Sequence, residues 1–189
     1  MTVLDLIKKS AVILNIDEIS NASLNTVTAE NESTILENNV ALKRLYELTK
    51  VMLNEIATYY MPIIKTVELN STDKKISLTN CSNILRVVGV KKDDVFVKFY
   101  ITDGSIVIKE DGHYSVIFAQ TPVVSSLLND ANMFGENVSD DLLVDGLNSY
   151  YCLACGLFKE FSLYNEKYSK KLTKLRSLPI FNLPSRSWV

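Results

Sequence analysis

Residues that do chemistry are scarce in this chain. His113 is the only histidine among 189 residues, and there are three cysteines, six glycines and four prolines. A lone histidine can act as a general base. No nucleophile pattern flanks His113, however, and Asp111-Gly112-His113-Tyr114 reads as a solvated hairpin turn. An odd cysteine count argues against a disulfide framework and points to a protein made in a reducing cytosol. Cys152 and Cys155 form a C-x-x-C, but redox chemistry wants that motif at a helix N-terminus in a βαβ frame. Zinc wants a second pair, and Cys81 stands alone. We read the pair as small side chains packing a helix. The glycines are scattered singly, so no phosphate-binding loop is present. Asp130, Asn132, Gly135 and Asp141 outline a calcium loop, but Phe134 brings no oxygen and Asp141 replaces the usual Glu. The expectation is a non-enzymatic chain with no cofactor, metal or catalytic residue.

Long apolar runs are missing too. None approaches the roughly 18 residues of a membrane span. Asp5, Lys8 and Lys9 interrupt the apolar stretch 1–16, and no small-residue cleavage site follows it. Neither a secretory leader nor a membrane partner is expected. Strong net charge is also lacking: −2, with a pI near 5.5, gives no global pull toward nucleic acid. The charge is uneven, though. Residues 159–189 carry seven Lys/Arg against two Glu, a local +5, which leaves −7 for residues 1–158. This suits a basic solvated helix face, or a basic end that meets an acidic neighbour.

Apolar residues make up 47% of the chain, enough for a globular core. Val3, Leu4, Ile7, Ala11 and Leu14 predict a short amphipathic helix over 2–15. Residues 17–31 read as a loop with at most one loose turn. Thr34 and Glu37 have capping-box spacing, opening a helix striped by Leu42, Leu45, Leu48, Met52, Ile56 and Tyr59. Pro62 ends it.

The period then changes to two. Strands are predicted over 63–69, 75–79, 84–90, 95–100, 105–108 and 114–119, rich in Val, Ile, Tyr and Phe. Turn signals lie at 70–73 and 91–94, and Asp103-Gly104 and Asp111-Gly112 are hairpin signals. Residues 123–128 suit one helical turn, and 129–138 a loop. Ser139 caps the next helix, with Asp140 and Asp141 in its first turn. Gly156 breaks it, and Phe161, Tyr164, Tyr168, Leu172 and Leu175 stripe a second helix.

The fold class expected is α+β. N-terminal helices (1–61) and a C-terminal helical hairpin (122–176) form a bundle within one domain. A small antiparallel β-subdomain (62–121) is inserted, and an extended tail (177–189) follows. Pro179 and Pro184 keep the tail from being helical. A short extended tail cannot bury its apolar residues on itself. Leu178, Ile180, Phe181, Leu183, Arg186 and Trp188 are therefore the candidate partner-docking residues.

Three stretches carry a family resemblance. They are Ile84–Val90, Tyr114–Pro122, and the run from Tyr150 through Gly156 to Tyr168. With the order of elements, they resemble the head–tail connector (adaptor) proteins of tailed bacteriophages, closest to the tail-tubular type. Phe161 and Ser162 depart from the alanines common after the turn, and residues 1–33 match nothing in that pattern. The resemblance implies a structural protein of the virion's head–tail junction, made in the bacterial host cytoplasm. It implies a closed ring, commonly of about twelve copies. The ring would bind the portal above and tail or neck proteins below, and genomic DNA would pass through its lumen without sequence-specific binding. The rival expectation is a cytoplasmic helical protein-interaction module. A single helical pair argues against a solenoid, which needs about three repeats.

Overall fold

The computed structural model describes residues 1–20, 27–79 and 81–176. Helix α1 (Val3–Ile13) opens on a capping box that links Thr2 and Asp5. The Thr2 N–H donates to Asp5 Oδ2, and the Asp5 N–H to Thr2 Oγ1, both at 3.1 Å. Two further orphan donors of the first turn are met by backbone. Val3 N–H reaches the Asn129 carbonyl and Leu4 N–H the Leu127 carbonyl, each at 2.9 Å. The face bearing Val3, Leu4, Leu6, Ile7, Ser10 and Ala11 is buried. Helix α2 (Asp17–Ser20) is a single turn, with Ile19 buried.

The long helix expected from Thr34 is two helices. Helix α3 (Glu32–Asn38) starts earlier, so Thr34 lies inside it and caps nothing. Glu32 sets that start. Its buried carboxylate accepts from Ser126 Oγ (2.5 Å) and Leu127 N–H (2.7 Å). Asn39 then turns extended and caps helix α4 (Val40–Glu55), its side chain accepting from Leu42 N–H at 2.8 Å. A wider π-helical turn, Ile56–Tyr60, closes α4 ahead of Pro62. It rotates the chain off the apolar stripe, so Tyr59, expected inside, is 68% exposed.

Residues 123–128 form no helical turn. Asn129 Oδ1 accepts from the Ser125 and Ser126 N–H groups at 2.9 and 2.8 Å and holds this stretch as a loop. Ser139 caps helix α5 (Asp140–Ala154) as expected, accepting from Leu142 N–H at 3.2 Å. Gly156, at φ +72°, then reverses the chain. The Leu157 and Gly156 N–H groups close on the Cys152 and Leu153 carbonyls, a glycine-terminated helix end. Helix α6 (Phe158–Arg176) packs along α5 and buries Tyr168, Leu172 and Leu175. Gly146 permits the close meeting of α4, α5 and α6. A Cβ there would lie 2.7 Å from both Met52 Sδ and the Tyr168 ring.

Residues Pro62–Val123 form a second compact unit, separate from the helical unit of Met1–Met61 and residues 124–176. Its described strands are β1 (Ile63–Asn70), β2 (Lys75–Ser77), β3 (Ile84–Lys92), β4 (Val95–Phe96), β5 (Tyr100–Thr102), β6 (Ser105–Val107) and β7 (His113–Gln120). They form two small antiparallel sheets, ordered β1-β7-β3-β4 and β2-β6-β5. The single strand expected over 95–100 is split, because β4 and β5 belong to different sheets. Ile76 and Ile106 from the smaller sheet share one core with Val90, Tyr114, Val116 and Phe118 from the larger.

Three two-residue turns place both central residues at positive φ: Asp73-Lys74, Asp93-Asp94 and Asp103-Gly104. At Asp93-Asp94 and Asp103-Gly104 that geometry matches the twist of the strands joined, and Asp73-Lys74 closes the isolated Thr72–Lys75 bridge. Asp111-Gly112, expected to be a hairpin turn, links strands of different sheets. Asp111 Oδ1 instead accepts from Lys74 N–H (2.7 Å) and Ser71 Oγ (3.1 Å), pinning one loop to another. The chain is therefore mixed α+β, with six α-helices and two antiparallel sheets among the described residues.

Candidate functional site

Four polar groupings offer the raw material of a reactive centre, and local geometry accounts for each. The first joins three helices. Glu55 ends α4, and its Oε2 accepts from Tyr150 Oη of α5 at 3.0 Å and Tyr168 Oη of α6 at 2.8 Å. Burial, then the Glu55 charge, push both phenols well above the ordinary tyrosine range. They stay protonated as donors. The arrangement pins helix to helix and presents no ionisable acid–base pair.

The second grouping is the C-x-x-C. Cys152 is fully buried and Cys155 is half-buried at the α5 C-cap, and both are free thiols. Burial raises the Cys152 thiol, which disfavours the thiolate that redox or metal chemistry needs. Arg44 Nη1 lies 3.6 Å from Cys155 Sγ.

The third grouping is a surface ladder on β1 and β7. His113 Nε2 lies 3.2 Å from Glu68 Oε2, and its Nδ1 lies 2.8 Å from Asn70 Oδ1. Ser115 Oγ donates to Glu68 Oε1 at 2.6 Å. Serine and histidine thus meet the same carboxylate and not each other, so no base activates the hydroxyl. The fourth is the calcium-loop outline. Asp130 Oδ1 accepts from Asn132 N–H at 2.9 Å and lies 3.6 Å from the Met1 ammonium. Asn132 Nδ2 donates to the Val138 carbonyl at 2.7 Å. These groups staple a loop. Among the described residues, no set of three His, Cys, Asp or Glu converges on a metal position.

The surface offers more than the interior. Helix α6 carries Lys167, Lys170, Lys171 and Lys174 at steps of three, one and three, a basic stripe legible from their spacing. With Ile13, Asp141, Val144 and Asp145, these lysines line a groove of about 490 Å³ between α1, α5 and α6. Lys171 is committed within it, its Nζ at 2.6 Å from Asp145 Oδ2 and 3.1 Å from the Asp141 carbonyl.

Large apolar side chains are also left in solvent. In the helical unit they include Val12, Ile13, Leu153, Leu157 and Phe158, the last 69% exposed. In the β unit they include Val95, Phe96, Tyr100 and Ile101, on β4 and β5 at the edges of the two sheets. The pattern over 95–100 predicts one half-buried strand, and the exposure of these side chains does not follow from it. The alternation was real, but no residue type marks the sheet change. The docking residues expected in the tail, Leu178, Ile180, Phe181, Leu183, Arg186 and Trp188, lie outside the described residues. No helix among the described residues is long and apolar enough to cross a membrane. No protein-family model and no curated protein matches the chain.

Proposed function

We propose that this chain is a structural subunit of a ring-shaped head–tail connector of a tailed bacteriophage. In this reading the helical unit is a bundle with a C-terminal hairpin, α5 and α6, that stiffens the ring wall. The β unit and the tail 177–189 reach neighbouring proteins. Portal protein lies on one side and tail or neck proteins on the other. DNA passes through the lumen without base-specific contacts, and no cofactor is needed.

One observation carries the reading: both units expose large apolar and aromatic side chains, while their polar groupings are engaged in holding the fold. Isolated exposed apolar residues are ordinary, but neighbouring ones on sheet-edge strands mark contact surfaces. The test is negative-stain microscopy of the full chain, alone and mixed with the portal protein of its phage. A ring that stacks on the portal is the expected result. A strict monomer that ignores the portal defeats the reading and favours a helical interaction module instead. A chain truncated after Arg176 is expected to fold and to lose its partner.

A further inference from the structure

The groove between α1, α5 and α6 has an apolar floor, Ile13 and Val144, and a wall carrying Lys167, Lys170 and Lys174. Its acidic side chains are partly spent: Asp145 holds Lys171. Lys170 meets Glu166 at 2.6 Å, but both side chains are mostly exposed, and such pairs exchange partners at little cost. The site suits a guest with carboxylates at its tip and apolar side chains behind them.

The β3–β4 turn has that chemistry. Asp93 and Asp94 stand side by side at its tip, exposed, at φ +49° and +61°. No ion pair or hydrogen bond engages either carboxylate among the described residues. Left-handed backbone costs most residues with a Cβ about 1 kcal/mol or more, and Asp is one of the few that tolerate it. An Asn-Gly pair would make the same turn with less strain. The flanking lysines do not neutralise the tip. Lys91 lies over the Phe96 ring, and Lys92 turns toward Glu110. Behind the carboxylates come Val95, 67% exposed, and Phe96, 52% exposed.

We infer that the β3–β4 turn of one copy docks in the α1–α5–α6 groove of the next. Asp93 and Asp94 meet Lys167, Lys170 and Lys174, and Val95 covers Ile13 and Val144. Knob and groove are different surfaces, so each contact leaves one of each unfilled. Such head-to-tail contacts close into a ring when the rotation permits. The inference rests on the connector reading and names the contact that builds its ring.

Charge reversal tests it. Lys170→Glu with Lys174→Glu alters the groove, and Asp93→Lys with Asp94→Lys alters the turn. Each variant alone is expected to assemble at least about tenfold more weakly than the unaltered chain in sedimentation velocity. A 1:1 mixture is expected to recover assembly, because every contact then pairs opposite charges. Recovery also shows that both variants fold. Variants that assemble like the unaltered chain, or a mixture that stays apart, would overturn the docking while leaving the ring itself standing. An unaltered chain that never assembles, with or without portal, would remove both.

Discussion

In the helical unit, Leu42, Leu45, Met52, Leu53, Ile56 and Leu143 are completely buried, and a carboxylate with two phenols ties three helices together. In the β unit the shared core is seven buried residues, and the strands are short. Three turns there run through left-handed backbone, two of them without glycine. The first unit is held by packing. The second holds its shape by turn geometry around a small core, and it leaves Val95, Phe96, Tyr100 and Ile101 in water. The proposed connector role would use both characters: a stiff wall, and exposed apolar side chains for a neighbour to cover.

The largest effect expected from breaking this contrast is in the helical core. Leu45→Ala should lower stability by about 2–5 kcal/mol. Denaturant unfolding measures the loss, and hydrogen exchange should place it in the helical unit with the β unit still protected. Ile106→Ala in the β unit should cost about 2–4 kcal/mol by the same mechanism, with the pattern of protection reversed. Gly146→Ala should cost about 1–3 kcal/mol through overpacking against Met52 and Tyr168, read as a fall in Tm.

A gain should follow at the turns. Lys74→Gly relieves left-handed strain at φ +59° and should stabilise the β unit by up to about 1 kcal/mol. The backbone N–H that meets Asp111 is retained.

The smallest effect is acid sensitivity at α1. Hydrogen bonds from Thr2 hold the Asp5 carboxyl below its ordinary range. A depressed folded-state value means that the stabilisation is complete above the unfolded value of about 3.9. It fades as pH falls through the still lower folded value. Asp5→Asn should therefore flatten the fall in stability below about pH 4. An unchanged acid limb would show that the capping box contributes nothing there.

Local signals made much of this architecture legible. Ser139 with Asp140 and Asp141 marked the start of α5, Gly156 marked its end, and Asp103-Gly104 marked a hairpin. Each depends on backbone chemistry within a few residues. The misreadings have tertiary causes. Glu32 starts α3 because its carboxylate is bonded to residues nearly a hundred positions away. Tyr59 leaves its stripe because the wider turn shifts the phase. Asp111-Gly112 pins a loop because the Asp111 carboxylate is bonded to Lys74 and Ser71, some forty residues earlier. The lysine wall of the groove was visible as a basic end, but its floor required α1 and α5 to come together. The docking residues chosen from the sequence lie in the tail outside the described residues, so the surface found on β4 and β5 is an addition to them and not a replacement.

Native mass spectrometry of the full-length chain over a hundredfold range of concentration bears most directly on whether copies of this protein cover one another's exposed side chains. One closed oligomer of defined copy number, in equilibrium with subunits and weakened by added salt, is the expected result. A lone subunit at every concentration, unchanged when the portal is added, would contradict it.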